Sequence, residues 1–260
     1  MTKTKRIVLI VVAILVALLV AAGVVTGLVL TGHFAPFAAW YEDDWQYFAG
    51  ATTLDATQVR EIEINWLDGS VTVETHTGEG IVLEETGAGA DEEDQLHWRL
   101  EEGELTIQYR ASRFLTMSGD DKQLRVLVPE GLALNEISIE TVSAAVDVTD
   151  VQAQELSLDT VSGDSVLAGG VEQVSVETTT GHCVLQGSAA LRQVEGSSLT
   201  GGFTVAMGEA TGVTAYLESL LGDLDSELTG ATGNQDRLTW GDGQTRMMFE
   251  TITGDVTFTG

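Results

Sequence analysis

Cysteine, proline and basic side chains are scarce in this chain, and each scarcity removes a class of function. Cys183 is the one cysteine in 260 residues, so no intrachain disulfide can form. With only His33, His76, His97 and His182 scattered through the chain, it cannot complete a four-ligand zinc site, and it lies too deep for an N-terminal lipid attachment. The two prolines, Pro36 and Pro129, both precede the last 125 residues. Lys and Arg number 12 against 40 Asp and Glu, and three of the twelve, Lys3, Lys5 and Arg6, stand before the first apolar run. Every acid follows Tyr41, so nine basic residues against forty acids leave the rest of the chain at −31. Phosphate backbones would be repelled by such a surface, which excludes nucleic acid and makes cations or basic partners the expected company.

Catalytic signatures are missing too. There is no Gly-x-Ser-x-Gly, no phosphate-cradling glycine loop and no His-Glu-x-x-His. His182 adjoins Cys183, but neighbours on a strand point to opposite faces, which argues against a thiolate dyad. A non-enzymatic chain without a cofactor is the expectation.

What the chain does contain is a recurring phrase. Glu136 to Val148, Glu155 to Asp164 and Phe249 to Phe258 repeat one pattern, and aligning on its central small residue gives Ala144, Gly163, Gly181, Gly201, Gly222 and Gly254. The steps are 19, 18, 20, 21 and 32 residues. A period near twenty without helical spacing predicts stacked β-coils, each touching only its neighbours. Apolar columns stand seven and five residues before the marker (Ile137, Leu156, Val174, Val194, Ala215, Met247; Ile139, Leu158, Val176, Gly196, Leu217, Phe249) and two and four after it. Side chains two apart share a strand face, so these columns predict two inward walls joined at the marker, where glycine tolerates the bend. Cys183 falls in one of them and reads as a small buried hydrophobe.

In chain order, Ile7 to Leu30 are 24 uncharged residues, enough at ~1.5 Å per residue to cross a ~30 Å hydrocarbon core. The basic cluster before this span predicts a single-pass anchor with a cytoplasmic N-terminus and everything after it extracytoplasmic, at the cell membrane; a cleaved signal is the competitor. Residues 1–32 therefore form the cytoplasmic tip and anchor. Residues 33–57 form a juxtamembrane linker, aromatic from Phe34 to Phe48 and small from Ala49 to Thr57. Residues 58–130 read as strands and turns. Ile62, Ile64, Val71 and Val73 around Gly69 resemble a repeat unit, and Ile81–Glu85, Gln95–Leu100, Glu104–Arg110 and Gln123–Val128 suggest an antiparallel cap. Residues 131–260 hold the repeats, with Thr232 to Thr245, which contains Trp240, bulging from the last coil as a loop or hairpin and a secondary site candidate. The fold class expected is all-β: a parallel β-solenoid of about six short coils with an antiparallel N-terminal cap, preceded by one transmembrane helix.

Four residues before each marker stand Glu140, Asp159, Glu177, Ser197, Glu218 and Glu250. Successive strands are ~4.8 Å apart, so the five acids form a crowded outward ladder. It reads either as a solvated face that keeps strand edges apart or as a ladder for divalent cations or a basic partner. Hydroxyl columns lie three and one residues before the marker, where they suit strands and can bond up the stack. The Gly-Asp pairs at Asp164, Asp223 and Asp255 read as turn chemistry.

Several of these segments carry a resemblance. The Ile-Glu-Ile-Asn-Trp-x-x-Gly-Ser-Val-Thr-Val strand pair from Ile62, Leu-Thr-Ile-Gln-Tyr from Leu105, Leu-Arg-Val-Leu-Val-Pro-Glu-Gly from Leu124 and the Thr-Val-Ser-Gly-Asp units resemble the bacterial putative-adhesin family of β-strand-repeat domains of unknown function. The similarity spans roughly Val59 to Gly260, with Ala144 and the fourth and fifth units departing from it. It implies a surface-exposed β-solenoid, often membrane-anchored, with envelope or adhesive roles and no catalytic residues to transfer. The function expected is an adhesin-like binding or structural module at the cell envelope. The alternatives are an envelope-stress sensor that binds cationic peptides or divalent cations and, more distantly, a polysaccharide-active enzyme.

Overall fold

The computed structural model describes residues 47–89, 91–110 and 122–260. The anchor expected at Ile7 to Leu30 and most of the aromatic linker lie outside the described residues; among those described, no helix is long and apolar enough to cross a membrane.

The described chain is built from strands, with two short 3-10 turns at Ala56–Gln58 and Glu92–Asp94. The N-terminal strands are β1 (Phe48–Ala49), β2 (Thr52–Asp55), β3 (Glu61–Trp66), β4 (Ser70–His76), β5 (Gly80–Thr86), β6 (His97–Glu101), β7 (Glu104–Gln108) and β8 (Gln123–Pro129). The repeats supply β9 (Ala133–Thr141), β10 (Ala145–Ser162), β11 (Ser165–Thr180), β12 (His182–Gln186), β13 (Gln193–Ser198), β14 (Gly202–Ala206), β15 (Gly212–Ser219) and β16 (Leu224–Ser226). A hairpin, β17 (Thr232–Asn234) and β18 (Arg237–Gly241), then leads to β19 (Thr245–Thr251) and β20 (Val256–Thr259).

These strands make two parallel walls. The first runs β7, β3, β9, the second half of β10, the second half of β11, β13, β19 and β15. The second runs β8, β4, the first halves of β10 and β11, β12, β14, β20 and β16. Each coil takes one strand from each wall. β10 passes from one wall to the other without a break, through a bulge between Val148 and Val151 where Asp150 adopts φ 59°. The all-β parallel stack is as expected, but among the described residues it holds eight coils rather than about six.

One of the two extra coils is the unit around Gly69, built from β3 and β4 as its resemblance to a repeat suggests; the other corrects the N-terminal reading. β7 and β8 are not part of an antiparallel cap; they form the outermost parallel coil, next to the one built from β3 and β4. Only β6 and β5 run antiparallel, along the open edges of β7 and β8, and β1 and β2 in turn pair with them. Part of the small-residue stretch from Ala49 to Thr57 is therefore strand. Covering both outer edges satisfies backbone groups that would otherwise template further pairing.

The C-terminal coil is also placed differently from its position in sequence. β19 and β20 lie between the β13/β14 coil and the β15/β16 coil, so the last coil in sequence is the last but one in space. The segment expected to bulge from the last coil as a loop or hairpin is a hairpin of β17 and β18, and it folds back: β18 pairs antiparallel with β15 and closes that end. Trp240 Nε1 donates to the Thr229 carbonyl at 3.2 Å, and Leu238 is buried against the terminal coil.

The apolar columns meet between the walls, where Ile62, Ile137, Leu156, Val174, Val194, Met247 and Ala215 stand in register and are all buried. Gly196 interrupts the next column for a packing reason. A Cβ there would lie 2.7 Å from Phe249 Cδ1 and 3.0 Å from the Phe203 ring. The missing side chain admits an aromatic cluster in which Phe249 lies 5.0 Å from Phe203 and 6.3 Å from Phe258 between centroids.

Candidate functional site

The outward face of the first wall concentrates the acids. Its strands hold a column that reads, across the stack, Gln108, Asn65, Glu140, Asp159, Glu177, Ser197, Glu250 and Glu218. All five acids expected to form the ladder belong to it. Glu140, Asp159 and Glu177 occupy three consecutive strands, Ser197 separates them from the rest, and the inserted C-terminal coil places Glu250 ahead of Glu218.

A second acidic column was missed. Glu104, Glu61, Glu136 and Glu155 stand in register four residues back along the same strands. Three of them could have been found eight residues before Gly69, Ala144 and Gly163; Glu104 could not, because its coil has no glycine marker to align on. Glu63 and Glu195 lie on the row between the two columns, which otherwise carries Thr106, three serines, Met248 and Tyr216, so the acids form two files with single acids between them.

Crowding affects these carboxylates. Burial, then the charges of Asp159 and Glu63, push Glu140 above the usual carboxylate range, and burial followed by Glu177 does the same to Asp159. Glu136 is raised by burial and then by Glu155, Glu61 and Glu104. Glu104 is raised by burial and then by Glu63, with which it shares a hydrogen bond. Each holds its proton to higher pH than a free carboxyl, because burial penalises the charged form and a like charge stands one strand away. Two acceptors at the N-terminal end of the ladder, Asn65 Oδ1 and Glu140 Oε2, are buried and receive no hydrogen bond among the described residues.

Where Ser197 breaks the ladder the face is hollowed. Ser175, Glu177, Glu195, Ser197, Met248 and Glu250 line a shallow depression of about 220 Å³. Among the described residues, no group of three or more His, Cys, Asp and Glu side chains is arranged to hold a metal ion. The register explains this: in-line carboxylates on a flat wall converge less than the six to eight oxygens of a calcium cage require.

The other candidates are structural. Cys183 is buried, and burial pushes its thiol up to about 11 against a weaker lowering by Ser165. His182 faces outward and its Nε2 lies 2.8 Å from Thr204 Oγ1. The hydroxyl column binds the turns: Thr141 Oγ1 donates to Thr160 Oγ1 at 2.9 Å, while Ser198 and Ser219 accept from the N–H groups of Gly201 and Gly222. Asp164 and Asp255 each accept the N–H of the next coil at 2.9 Å, as turn chemistry predicts.

One buried ion pair was not anticipated. Lys122 Nζ lies 2.5 Å from Glu85 Oε1, with both side chains nearly inaccessible, and donates to the carbonyls of Asp94 and Tyr109. The Tyr109 and Trp66 rings flank it at 4.2 and 5.2 Å. Lys122 ties β5, the turn before β6 and the end of β7 into one corner.

The profile of the Toastrack DUF4097 family matches residues 59–259, which span the described stack from before β3 to the end of β20. The chain belongs to the Toastrack DUF4097 family. No curated protein matches it. Among solved structures, a putative cell adhesion protein from Clostridium sporogenes is 10% identical, with a TM-score of 0.46 over 82% of this chain and 99% of that one. A putative adhesin from Bacteroides fragilis is likewise 10% identical, with a TM-score of 0.39 over 84% of this chain and 99% of that one. The Toastrack stack of this chain carries its acidic columns on the first wall, while the outward positions of the second wall hold side chains such as Val166, Val184 and Thr204, with Glu74, Asp147 and Asp225 as single acids among them.

Proposed function

We infer that this Toastrack protein is a membrane-anchored, extracytoplasmic, adhesin-like binding module of the cell envelope, non-catalytic, with the acidic outer face of its first wall as the binding surface. The observation that carries the reading is the register of Glu140, Asp159 and Glu177 beside Glu61, Glu136 and Glu155 on consecutive strands. Rigid strands hold like charges together at a cost to the free protein, and a cationic partner relieves that cost on binding. The anchor rests on the uncharged run from Ile7 to Leu30 and the basic residues before it.

The test has two arms. On intact cells, a protease that cannot cross the membrane should remove the β-stack; full protection would refute the extracytoplasmic placement. The full chain in zwitterionic nanodiscs should retain cationic rather than anionic beads, with retention falling as salt rises. Equal retention of both would refute the acidic binding face, and turnover on any polysaccharide of a panel would refute the non-catalytic reading.

A second reading, an envelope-stress sensor that registers cationic peptides, is favoured by the raised carboxyl groups of Glu140 and Asp159. A bound cation would draw them back to the charged state, so occupancy would be coupled to proton release.

A further inference from the structure

The corner where the two walls meet carries a file of aliphatic side chains. Two residues before the markers stand Val142, Val161, Leu199, Ile252 and Leu220, with Thr179 between Val161 and Leu199. Corner hydrogen bonds put them in one line: Ser162 N donates to Val142 O, Thr180 Oγ1 to Val161 O, Thr200 N to Thr179 O, Thr253 N to Leu199 O and Leu221 N to Ile252 O. Val161 is 44% exposed, Leu220 39% and Leu221 75%, so large apolar side chains face water on a surface otherwise made of hydroxyls and acids. Five steps of ~4.8 Å make the file roughly 24 Å long.

Acids flank this file on both sides at three of its six positions, with Ala145, His182 and Gly202 on the second flank at the others. Asp159 and Asp164 bracket Val161, Glu250 and Asp255 bracket Ile252, and Glu218 and Asp223 bracket Leu220. All six residues are exposed, although the carboxyl end of Asp159 is partly covered. Asp164 and Asp255 use one oxygen each to hold the next coil, which leaves the other open to a donor. At the far end, Asn65 and Glu140, whose Oδ1 and Oε2 are unmet buried acceptors, stand two residues before Leu67 and Val142 along the chain. An apolar line with an acidic row on one side and Asp164, Asp255 and Asp223 on the other is complementary to a segment with a narrow apolar stripe flanked by basic residues. A bilayer surface is a poorer match, because anionic headgroups would meet both acid rows.

We propose that this corner is the docking site for a basic amphipathic polypeptide segment, whose aliphatic side chains lie along Val161, Ile252, Leu220 and Leu221 while its Lys and Arg reach the acids on either side. This rests on the acidic-face reading and locates the partner on one border of that face. At ~1.5 Å per residue the file would accept about sixteen residues of helix.

The test uses the full chain in micelles and two fluorescent Leu/Lys peptides of about that length and identical composition. One is striped, with Leu on a single helical face; the other is scrambled. Micelle binding cancels because variants are compared at one micelle concentration. The striped peptide should bind the parent chain more tightly than the scrambled one. Leu220→Ser with Leu221→Ser, and separately Val161→Ser, should weaken the striped peptide about tenfold and the scrambled one less than about twofold, with thermal midpoints held. Glu177→Gln with Glu250→Gln should weaken both. If both peptides bind equally and the Ser variants change nothing, the corner site is overturned while the acidic face survives. If neither peptide binds even at low salt, both readings fall.

Discussion

A Cβ built on Gly254 would lie 1.6 Å from the carbonyl oxygen of Gly201, the marker glycine of the neighbouring coil. The same contact recurs through the stack: Gly222 on Gly254 O at 2.0 Å, Gly201 on Gly181 O at 1.9 Å, Gly181 on Gly163 O at 2.2 Å and Gly163 on Ala144 O at 2.3 Å. Close backbone approach therefore explains the marker. Positive φ contributes at Gly163 and Gly181 but not at Gly201, Gly222 or Gly254. Ala144 is the place where a methyl group is accommodated.

Gly201→Ala should accordingly destabilise the protein by at least ~1–3 kcal/mol, the usual cost of forcing atoms into a packed site. Gly170→Ala, whose Cβ would meet Gln152 Cγ at 3.4 Å and Val151 O at 3.9 Å, should change stability little. Chemical denaturation of the two variants checks the contrast; equal effects would sink the steric account.

Stability should depend on pH with a sign set by the acidic face. Carboxyls whose folded pKa is raised, as at Glu136, Glu140 and Asp159, contribute stability that is complete below their unfolded pKa and lost as pH rises through the folded value. Asp55 and Asp242 act oppositely. Hydrogen bonds from Thr57 lower the first, and those from Gln244 N and Thr211 lower the second, so their contribution is lost as pH falls through their depressed values. Thermal midpoints should rise from about pH 7 to about pH 5 and decline again in stronger acid. Glu140→Gln with Asp159→Asn should flatten the upper limb of that curve.

Breaking the Lys122–Glu85 pair should be costly in one direction only. Lys122→Met alone leaves the Glu85 carboxylate buried and unpaired, which typically costs about 3–5 kcal/mol. Lys122→Met with Glu85→Leu removes both charges and should recover much of the loss in urea unfolding. A double variant no more stable than the single one would assign the loss to packing against Tyr109 and Trp66.

The thiol of Cys183 should resist modification. It is buried, and its pKa is pushed up to about 11, so little thiolate is present at neutral pH. A disulfide reagent should label it only after unfolding; prompt labelling of the native chain would mean that the wall between β11 and β14 opens readily.

Much of this was legible in the sequence because a coil repeats its own chemistry. Equivalent positions recur at a fixed distance from the marker, so the inward columns, the hydroxyl column and the ladder from Glu140 to Glu250 could be aligned before any fold was known. Glu104 had no marker to align on, and the two N-terminal strands that joined the stack, β7 and β8, looked like any other strand pair. Lys122 gave no signal either, since one lysine before a strand is ordinary until tertiary packing brings Glu85 beside it.

Which residues are equivalent from coil to coil, and which face inward, follows from strand alternation and glycine spacing, and both are local properties of the chain. The order of the coils in space is not local and comes from packing. A repeat unit matches every other unit in register, so neighbours are chosen by side-chain volume and by edges that need cover. Phe249 fills the space that Gly196 leaves, which sets the C-terminal coil against β13, and the β17–β18 hairpin closes the coil left at the end. That choice also orders the acids along the wall, setting Glu250 ahead of Glu218 and, at the adjoining corner, Ile252 beside Leu220.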